Sequence, residues 1–198
     1  MKKLGYAAAL FLAMGSTQAT DLSFDLNDAE VRGNIAMPLT EANYYVIADV
    51  LYSEGSKIDD FDLDDQTMTL AGGFLLHQPL NEVLSFKFGG KVVAVNSEEL
   101  DDTLVGLPLG GELQFTLETS QNIIYFNGYA FYAPDIISFG DMESYSEFGF
   151  EVEYPFSNQL SAYAGYRFIN VNLDETQFGG ADNLEVSSRP YIGVTFSF

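Results

Sequence analysis

The feature that most constrains the fold is an alternation of apolar and polar or small side chains that continues to the last residue. In the final stretch, RPYIGVTFSF, the apolar Ile192, Val194, Phe196 and Phe198 fall on one face of an extended chain. A terminal strand in water frays, so an apolar face of this length requires cover along its whole extent. A lipid bilayer supplies such cover, and the rest of the sequence must be compatible with it.

The same period of two recurs along the chain and predicts further strands. It is clearest over residues 109–118, where the leucines and the phenylalanine share one face and polar side chains share the other. Eight strands are predicted in this way, at 43–53, 66–76, 83–95, 109–118, 123–132, 144–154, 160–169 and 187–198.

Residues 21–37 supply two more predicted strands. Apolar side chains occupy even positions up to Leu26 and odd positions from Val31, and this change of parity marks a turn at 27–29. Ten strands are therefore favoured, with eight strands as the alternative.

The connections between the predicted strands alternate in length. Short ones are predicted at 38–42, 77–82, 119–122 and 155–159, and longer ones at 54–65, 96–108, 133–143 and 170–186. Short turns at one end and long loops at the other are typical of outer-membrane barrels, whose strands need about 9 to 11 residues to cross the bilayer. The sequence predicts an all-β, antiparallel transmembrane barrel over residues 20–198, located in the cell outer membrane and in contact with lipid and lipopolysaccharide. The alternative is a soluble barrel with the same alternation pointing the other way.

The N-terminal residues 1–19 predict a secretory signal peptide. They hold two lysines, an apolar run over residues 4–14 that is too short to cross a bilayer, and small residues before Ala19. Cysteine is absent, so no disulfide is expected in the exported chain. With 29 acidic and 8 basic residues, the chain is not expected to bind nucleic acid.

Four stretches resemble a known family. FYAPD, SYSEFGFEVEY, LSAYAGYRFINV and PYIGVTFSF, all between residues 131 and 198, are similar to the YfaZ family of predicted outer-membrane proteins of Gram-negative bacteria. The resemblance implies a small barrel in the outer membrane and brings no known substrate or catalytic residue with it. The end of the chain, with Tyr191, Val194, Phe196 and Phe198, also resembles the signal that the barrel-assembly machinery recognises.

Charged side chains opposite the apolar faces are expected to point into the barrel. They form a predicted lumen charge network of both signs: Asp49, Lys87, Lys91, Glu112, Glu118, Glu147, Glu151, Glu153, Arg167 and Arg189. A barrel of eight to ten strands is little wider than its own side chains, so these charges would pair and plug it. We expect Arg167 and Arg189 to pair with Glu147 and Glu151. The alternative is a narrow, porin-like pore in which the excess of acids favours cations.

Few residues are candidates for catalysis or for metal binding. The single histidine, His77, falls in a predicted short turn, away from any Ser or Asp partner. The D-x-D-x-D run at 60–64, in an acidic loop expected outside the cell, lacks the glycine and glutamate of a calcium loop, because Asp65 and Ala71 stand there. A solvated loop is favoured over weak divalent-cation binding. The sequence predicts a monomeric non-enzyme without cofactor or metal; an outer-membrane enzyme acting on lipid A or peptides through carboxylates is the alternative.

Overall fold

A computed structural model describes residues 20–39, 43–54, 56–58, 61–62, 66–97, 103–120, 122–174 and 183–198, with only the backbone at 61–62. Within these residues no helix has the length and hydropathy needed to span a membrane. The predicted signal peptide and most of the aspartate run at 60–64 lie outside the described residues.

Ten long strands make up most of the described chain. Their bounds are β1 Asp21–Leu26, β2 Glu30–Pro38, β3 Tyr44–Ser53, β4 Thr67–Pro79, β5 Leu84–Ser97, β6 Leu109–Glu118, β7 Ile123–Ala133, β8 Met142–Pro155, β9 Leu160–Leu173 and β10 Asn183–Ser197. Each strand pairs antiparallel with its neighbours in the chain, and β1 also pairs with β10, which closes the sheet. The prediction of a ten-stranded antiparallel barrel is confirmed, and the eight-strand alternative is wrong.

Shorter elements lie at the end of the barrel that carries the long loops. They are the strands Lys57–Ile58, Phe61–Asp62, Leu104–Gly106 and Ser138–Phe139, and a 3-10 helix at Asp135–Ile137. In outer-membrane barrels the long loops face outward from the cell and the short turns face the periplasm. We call the two ends of the molecule the long-loop end and the short-turn end.

The closing ladder between β1 and β10 is short. It runs from Asp21 opposite Ser197 to Leu26 opposite Ile192, although β10 continues nine residues further toward the long-loop end, to Asn183. There the strand Lys57–Ile58 pairs with Leu184 and Glu185. An unpaired strand edge is a site of aggregation, and this added strand covers part of the edge.

The outward faces of the strands are apolar and exposed, as lipid contact requires. Phe74, Phe150 and Ile192 point away from the barrel with 62%, 62% and 64% of their surface accessible. Neighbouring aromatic rings pack on this face, for example Phe148 on Phe168 with centroids 4.7 Å apart. The soluble alternative, which would bury these side chains, does not fit this surface.

Toward the long-loop end, polar side chains occupy the outer face of the strands and apolar side chains the inner face. In β9 the outward Phe168 is followed by outward Asn170 and Asn172, whereas Ile169 and Val171 point inward and are buried. These inward residues belong to a buried cluster that we call the apolar cap: Leu51, Val93, Val95, Leu104, Ala133, Met142, Tyr145, Ile169, Val171, Leu173, Leu184 and Val186. The strands at this end are built like those of a water-soluble barrel, with apolar side chains inside and polar ones outside.

Candidate functional site: the barrel interior

The interior is built in three layers because inward side chains change character along each strand. In β5 the inward residues are Lys87 and Lys91, followed by Val93 and Val95. The apolar cap fills the long-loop end, a layer of ion pairs lies beneath it, and a polar cavity occupies the short-turn end.

Arg167 forms the first half of the ion-pair layer. Its Nη2 donates to Asp25 Oδ1 at 2.6 Å and lies 3.7 Å from Glu30 Oε2, and its side chain is 0% exposed. The guanidinium also lies over the ring of Tyr191, 4.6 Å from the centroid. A charge buried this completely requires opposite charges nearby, which Asp25 and Glu30 of the first hairpin provide, whereas the Nε and Nη1 of Arg167 have no hydrogen-bond partner among the described residues.

Glu147 is the centre of the second half of the layer. It accepts hydrogen bonds from the Lys91 ammonium and from the Tyr145 hydroxyl, the latter at 2.7 Å. Arg32 Nη2 lies 3.7 Å from Glu147 Oε1 and 3.5 Å from Asp49 Oδ2. Five side chains from β2, β3, β5 and β8 therefore meet across the barrel.

The polar cavity has a volume of about 390 Å³. Asp21, Ser85 and Ser197, which lie near strand ends, line it at the short-turn end, and Lys91 and Glu147 of the ion-pair layer line it on the inner side. The cavity therefore extends from the short turns to the middle of the barrel. Beyond it, toward the long-loop end, lie first the ion-pair layer and then the apolar cap.

Glycines on the inner wall make room for tyrosines from neighbouring strands. A Cβ on Gly149 would lie 2.5 Å from the hydroxyl of Tyr129, and one on Gly165 would lie 2.7 Å from that of Tyr191. The tyrosine rings therefore lie flat against the wall, and the Tyr191 hydroxyl reaches Glu151 Oε2 at 3.1 Å. Glycine inside a strand here serves close packing.

The predicted charged residues occupy different layers. Asp49, Lys91, Glu147 and Arg167 lie in the ion-pair layer, Lys87, Glu112, Glu151 and Glu153 line the cavity, Glu118 is exposed at the short-turn end, and Arg189 lies near the tip of the first hairpin. In β10 Tyr191 points inward, whereas Val194, Phe196 and Phe198 are exposed on the outer side.

The predicted partners of the two arginines are not the ones found. Arg167 pairs with Asp25 and Glu30 in place of Glu147 and Glu151, and Arg189 lies 3.4 Å from Asp28 and 3.9 Å from Glu30. The reason is barrel closure, which brings the first hairpin beside β9 and β10.

Three residues of the ion-pair layer were absent from the prediction, namely Asp25, Glu30 and Arg32. A signal for them exists in the sequence, because each lies on the parity opposite the apolar positions of residues 21–37. Applying the inward-facing rule to that segment would have included all three.

His77 lies within β4, two residues before its end at Pro79, and not in the predicted turn. Its ring meets that of Tyr45 edge to face, with centroids 5.8 Å apart. Within the described part of the chain, no group of three or more His, Cys, Asp or Glu residues is arranged to hold a metal ion.

A closed antiparallel barrel with an apolar outer face and a charged interior defines the class of outer-membrane β-barrel proteins. The model of a family described as "YfaZ precursor" matches residues 1–198, and the chain belongs to the YfaZ family. A similar protein, the outer membrane protein YfaZ of Escherichia coli (strain K12), is 32% identical over 135 residues, which cover 68% of this chain and 69% of the relative. The predictions of family and of outer-membrane location are confirmed.

Two solved structures match most of the chain at low sequence identity. The outer membrane protease OmpT of Escherichia coli matches with a TM-score of 0.49 and 10% identity, over 91% of this chain and 94% of the protease. KdgM porin matches with a TM-score of 0.42 and 11% identity, over 91% of this chain and 99% of the porin.

Proposed function

We propose that the protein is a structural, non-conducting barrel of the outer membrane, whose interior is a plug made by the apolar cap and the ion-pair layer. The observation that carries the proposal is the apolar cap. Val93, Val95, Val171 and Leu184 are all 0% exposed, so water does not reach the side chains that fill the long-loop end.

The ion-pair layer supports the same function. A ten-stranded barrel has room for little beyond its own side chains, and charged groups that hydrogen-bond across it narrow the remaining path. Arg32, Lys91 and Arg167 each contact carboxylates on other strands, so the layer also links the two sides of the barrel.

The alternative function is a narrow porin-like pore with cation preference. The observation that favours it is the excess of acids over bases on the cavity wall, because seven carboxylates and three cations line it. Conduction through the whole barrel would require the apolar cap to open.

The proposal contains no catalytic step. The enzyme alternative needs carboxylates that reach lipid A or peptides at the outer surface. The carboxylates of Glu151 and Glu153 point instead into the cavity at the short-turn end, beneath the ion-pair layer. This placement keeps Glu151 and Glu153 from serving such a reaction, and the proposed structural role requires none.

Single-channel recording tests the proposal. The parent protein, refolded and inserted into planar bilayers, should show no steady conductance, because the apolar cap excludes water. A small porin inserted under the same conditions is the positive control, and heat-modifiable migration verifies the folded state of the inserted sample. Steady, cation-selective currents from the parent would show that the interior is a pore and would refute the plug.

A further inference from the structure

One surface at the long-loop end is an exception to the polar outer face of the strands there. It is formed by the segments 104–107 and 135–139. Its outward apolar side chains, which we call the loop patch, are Val105, Leu107, Ile136 and Phe139. Ile136 and Phe139 have 87% and 52% of their surface exposed, so the patch presents apolar side chains outside the barrel.

Contacts with the barrel hold the loop patch in place. Phe139 pairs with Val105 in a short antiparallel ladder. The Leu107 amide donates to the carbonyl of Ile137 at 3.0 Å. Leu104 lies in the apolar cap, and Ile137 packs against the cap. Because these neighbours are anchored inward, the side chains of the patch point away from the barrel.

The loop patch is continuous with the lipid-facing wall of β5, β6 and β7. Val92, Leu109 and Tyr132 point outward on these strands and are 51%, 62% and 54% exposed. Ala94 follows Val92 on the outer face and pairs with Val105 of the patch. None of these side chains is charged, so an apolar surface leads without interruption from the wall to the patch.

The outer face of β8 and β9 differs from this surface. Toward the long-loop end, the outward Phe148 of β8 is followed by Ser146. In β9 the outward Phe168 is followed by Asn170. The apolar outer surface of the barrel is therefore longer on the side of β5 to β7 than on the side of β8 and β9.

The position of the loop patch favours lipid over protein as its partner. β6 has ten residues, which is enough to cross the hydrocarbon core, and the patch lies beyond its first residue, Leu109. A patch that binds a protein is typically rimmed by polar residues. Here Asn96 and Thr103, which hydrogen-bond at 3.4 Å, bound the patch on the side away from the membrane, whereas the opposite side opens into the lipid-facing wall.

We propose that the loop patch is a lipid anchor, in which Ile136 and Phe139 contact acyl chains of the outer leaflet. The anchor extends the membrane contact on one side of the barrel only. A hydrophobic surface longer than the bilayer core is accommodated by tilt or by local thickening of the bilayer. The inference concerns the outside of the barrel and does not depend on whether the interior conducts.

Tryptophan fluorescence tests the anchor, because the chain contains no tryptophan. Ile136→Trp places a single reporter in the loop patch, at a side chain whose exposure leaves room for the larger ring. The refolded variant is compared in vesicles of ordinary phosphatidylcholine and of phosphatidylcholine with brominated acyl chains, which quench tryptophan on contact. Ile136→Trp should lose a fraction of its fluorescence close to that lost by Leu109→Trp on the lipid-facing wall.

Asn172→Trp is the matched control, because Asn172 is exposed and points outward from the polar part of β9. It should keep its fluorescence and emit at a longer wavelength than Ile136→Trp. Heat-modifiable migration verifies that each variant is folded, and Phe139→Trp is a second reporter in the patch.

Two results would overturn the proposal. The first is quenching of both patch reporters, Ile136→Trp and Phe139→Trp, that does not exceed the quenching of Asn172→Trp. The second is emission at short wavelength without quenching, because the patch would then be covered by a second copy or another protein and not by lipid.

Discussion

Arg167 shows what alternation can predict about a single residue and what it cannot. Its position in the sequence LSAYAGYRFINV places it on the inward face, where the structure has it. Its partner Asp25 is 142 residues away and is reached only because β1 closes the barrel beside β10. Partner choice depends on closure and on the stagger of the strands, which a period of two does not contain.

Replacing Arg167 with alanine should strongly destabilise the barrel. Asp25 and Glu30, 6% and 2% exposed, would keep buried charges after losing their closest cation. Breaking a buried pair in this way costs about 3 to 5 kcal/mol. The measurement is urea unfolding of the protein in lipid vesicles.

Arg189→Ala is the control for this substitution. Arg189 is 27% exposed and its nearer partner Asp28 is 81% exposed, and the buried Glu30, 3.9 Å from Arg189, keeps Arg167, so the loss should be smaller, about 1 kcal/mol. Equal losses for the two variants would contradict a special role for the buried arginine.

The strands were predicted best where they face lipid. β9 was predicted at 160–169 and extends to Leu173, and β10 was predicted from 187 and begins at Asn183. Both predictions stopped where apolar residues change from the outer to the inner face. A bulge between Ile169 and Asn170 adds a further break in the register of these two strands.

This change of the apolar residues from the outer to the inner face can be read in the sequence. In β5 the outward Val92 and Ala94 are followed by outward Asn96, whereas the inward Val93 and Val95 follow Lys91. Where a strand extends beyond the lipid, its apolar side chains must change from the outer to the inner face. The outer face there meets water in place of lipid, and the inner face packs in the apolar cap in place of the ion-pair layer. A single period of two cannot describe such a strand along its whole length.

Leu184→Ala tests the packing of β10 at the long-loop end. Leu184 is 0% exposed within the apolar cap, and a cavity at such a site costs about 2 to 5 kcal/mol. Leu109→Ala is the matched control, because Leu109 is 62% exposed on the outer face, where lipid chains fill the space that the side chain leaves. Unfolding free energies in vesicles should fall more for Leu184→Ala, and a larger loss for Leu109→Ala would refute the cap as a packed core.

For the whole molecule, the number of strands, their direction and the lipid-facing surface could be predicted from alternation and loop length. The three layers of the interior could not, because they arise from residues that meet across the closed barrel, such as Arg32 with Glu147. A linear pattern gives the face of each residue, whereas the layering depends on how far each strand is shifted against the next.

The folded protein should be a monomer with heat-modifiable migration in gels. A closed sheet has few free edges for detergent to open, so the unheated protein should run as a compact form and shift after boiling. Light scattering in detergent should give one chain per particle. Identical migration before and after boiling, or recovery in the aqueous periplasmic fraction, would contradict a membrane barrel.

Because of the apolar cap, the long-loop end and the membrane-spanning middle of the sheet should respond differently to temperature. Its side chains are packed against one another where the outward residues are polar, so their burial is a transfer out of water. That contribution weakens on cooling and carries a large heat capacity, whereas contact between the middle strands and lipid involves no such transfer within the bilayer. Cooling therefore weakens the packing of the apolar cap at the long-loop end. The membrane-spanning part of the barrel does not lose stability in this way.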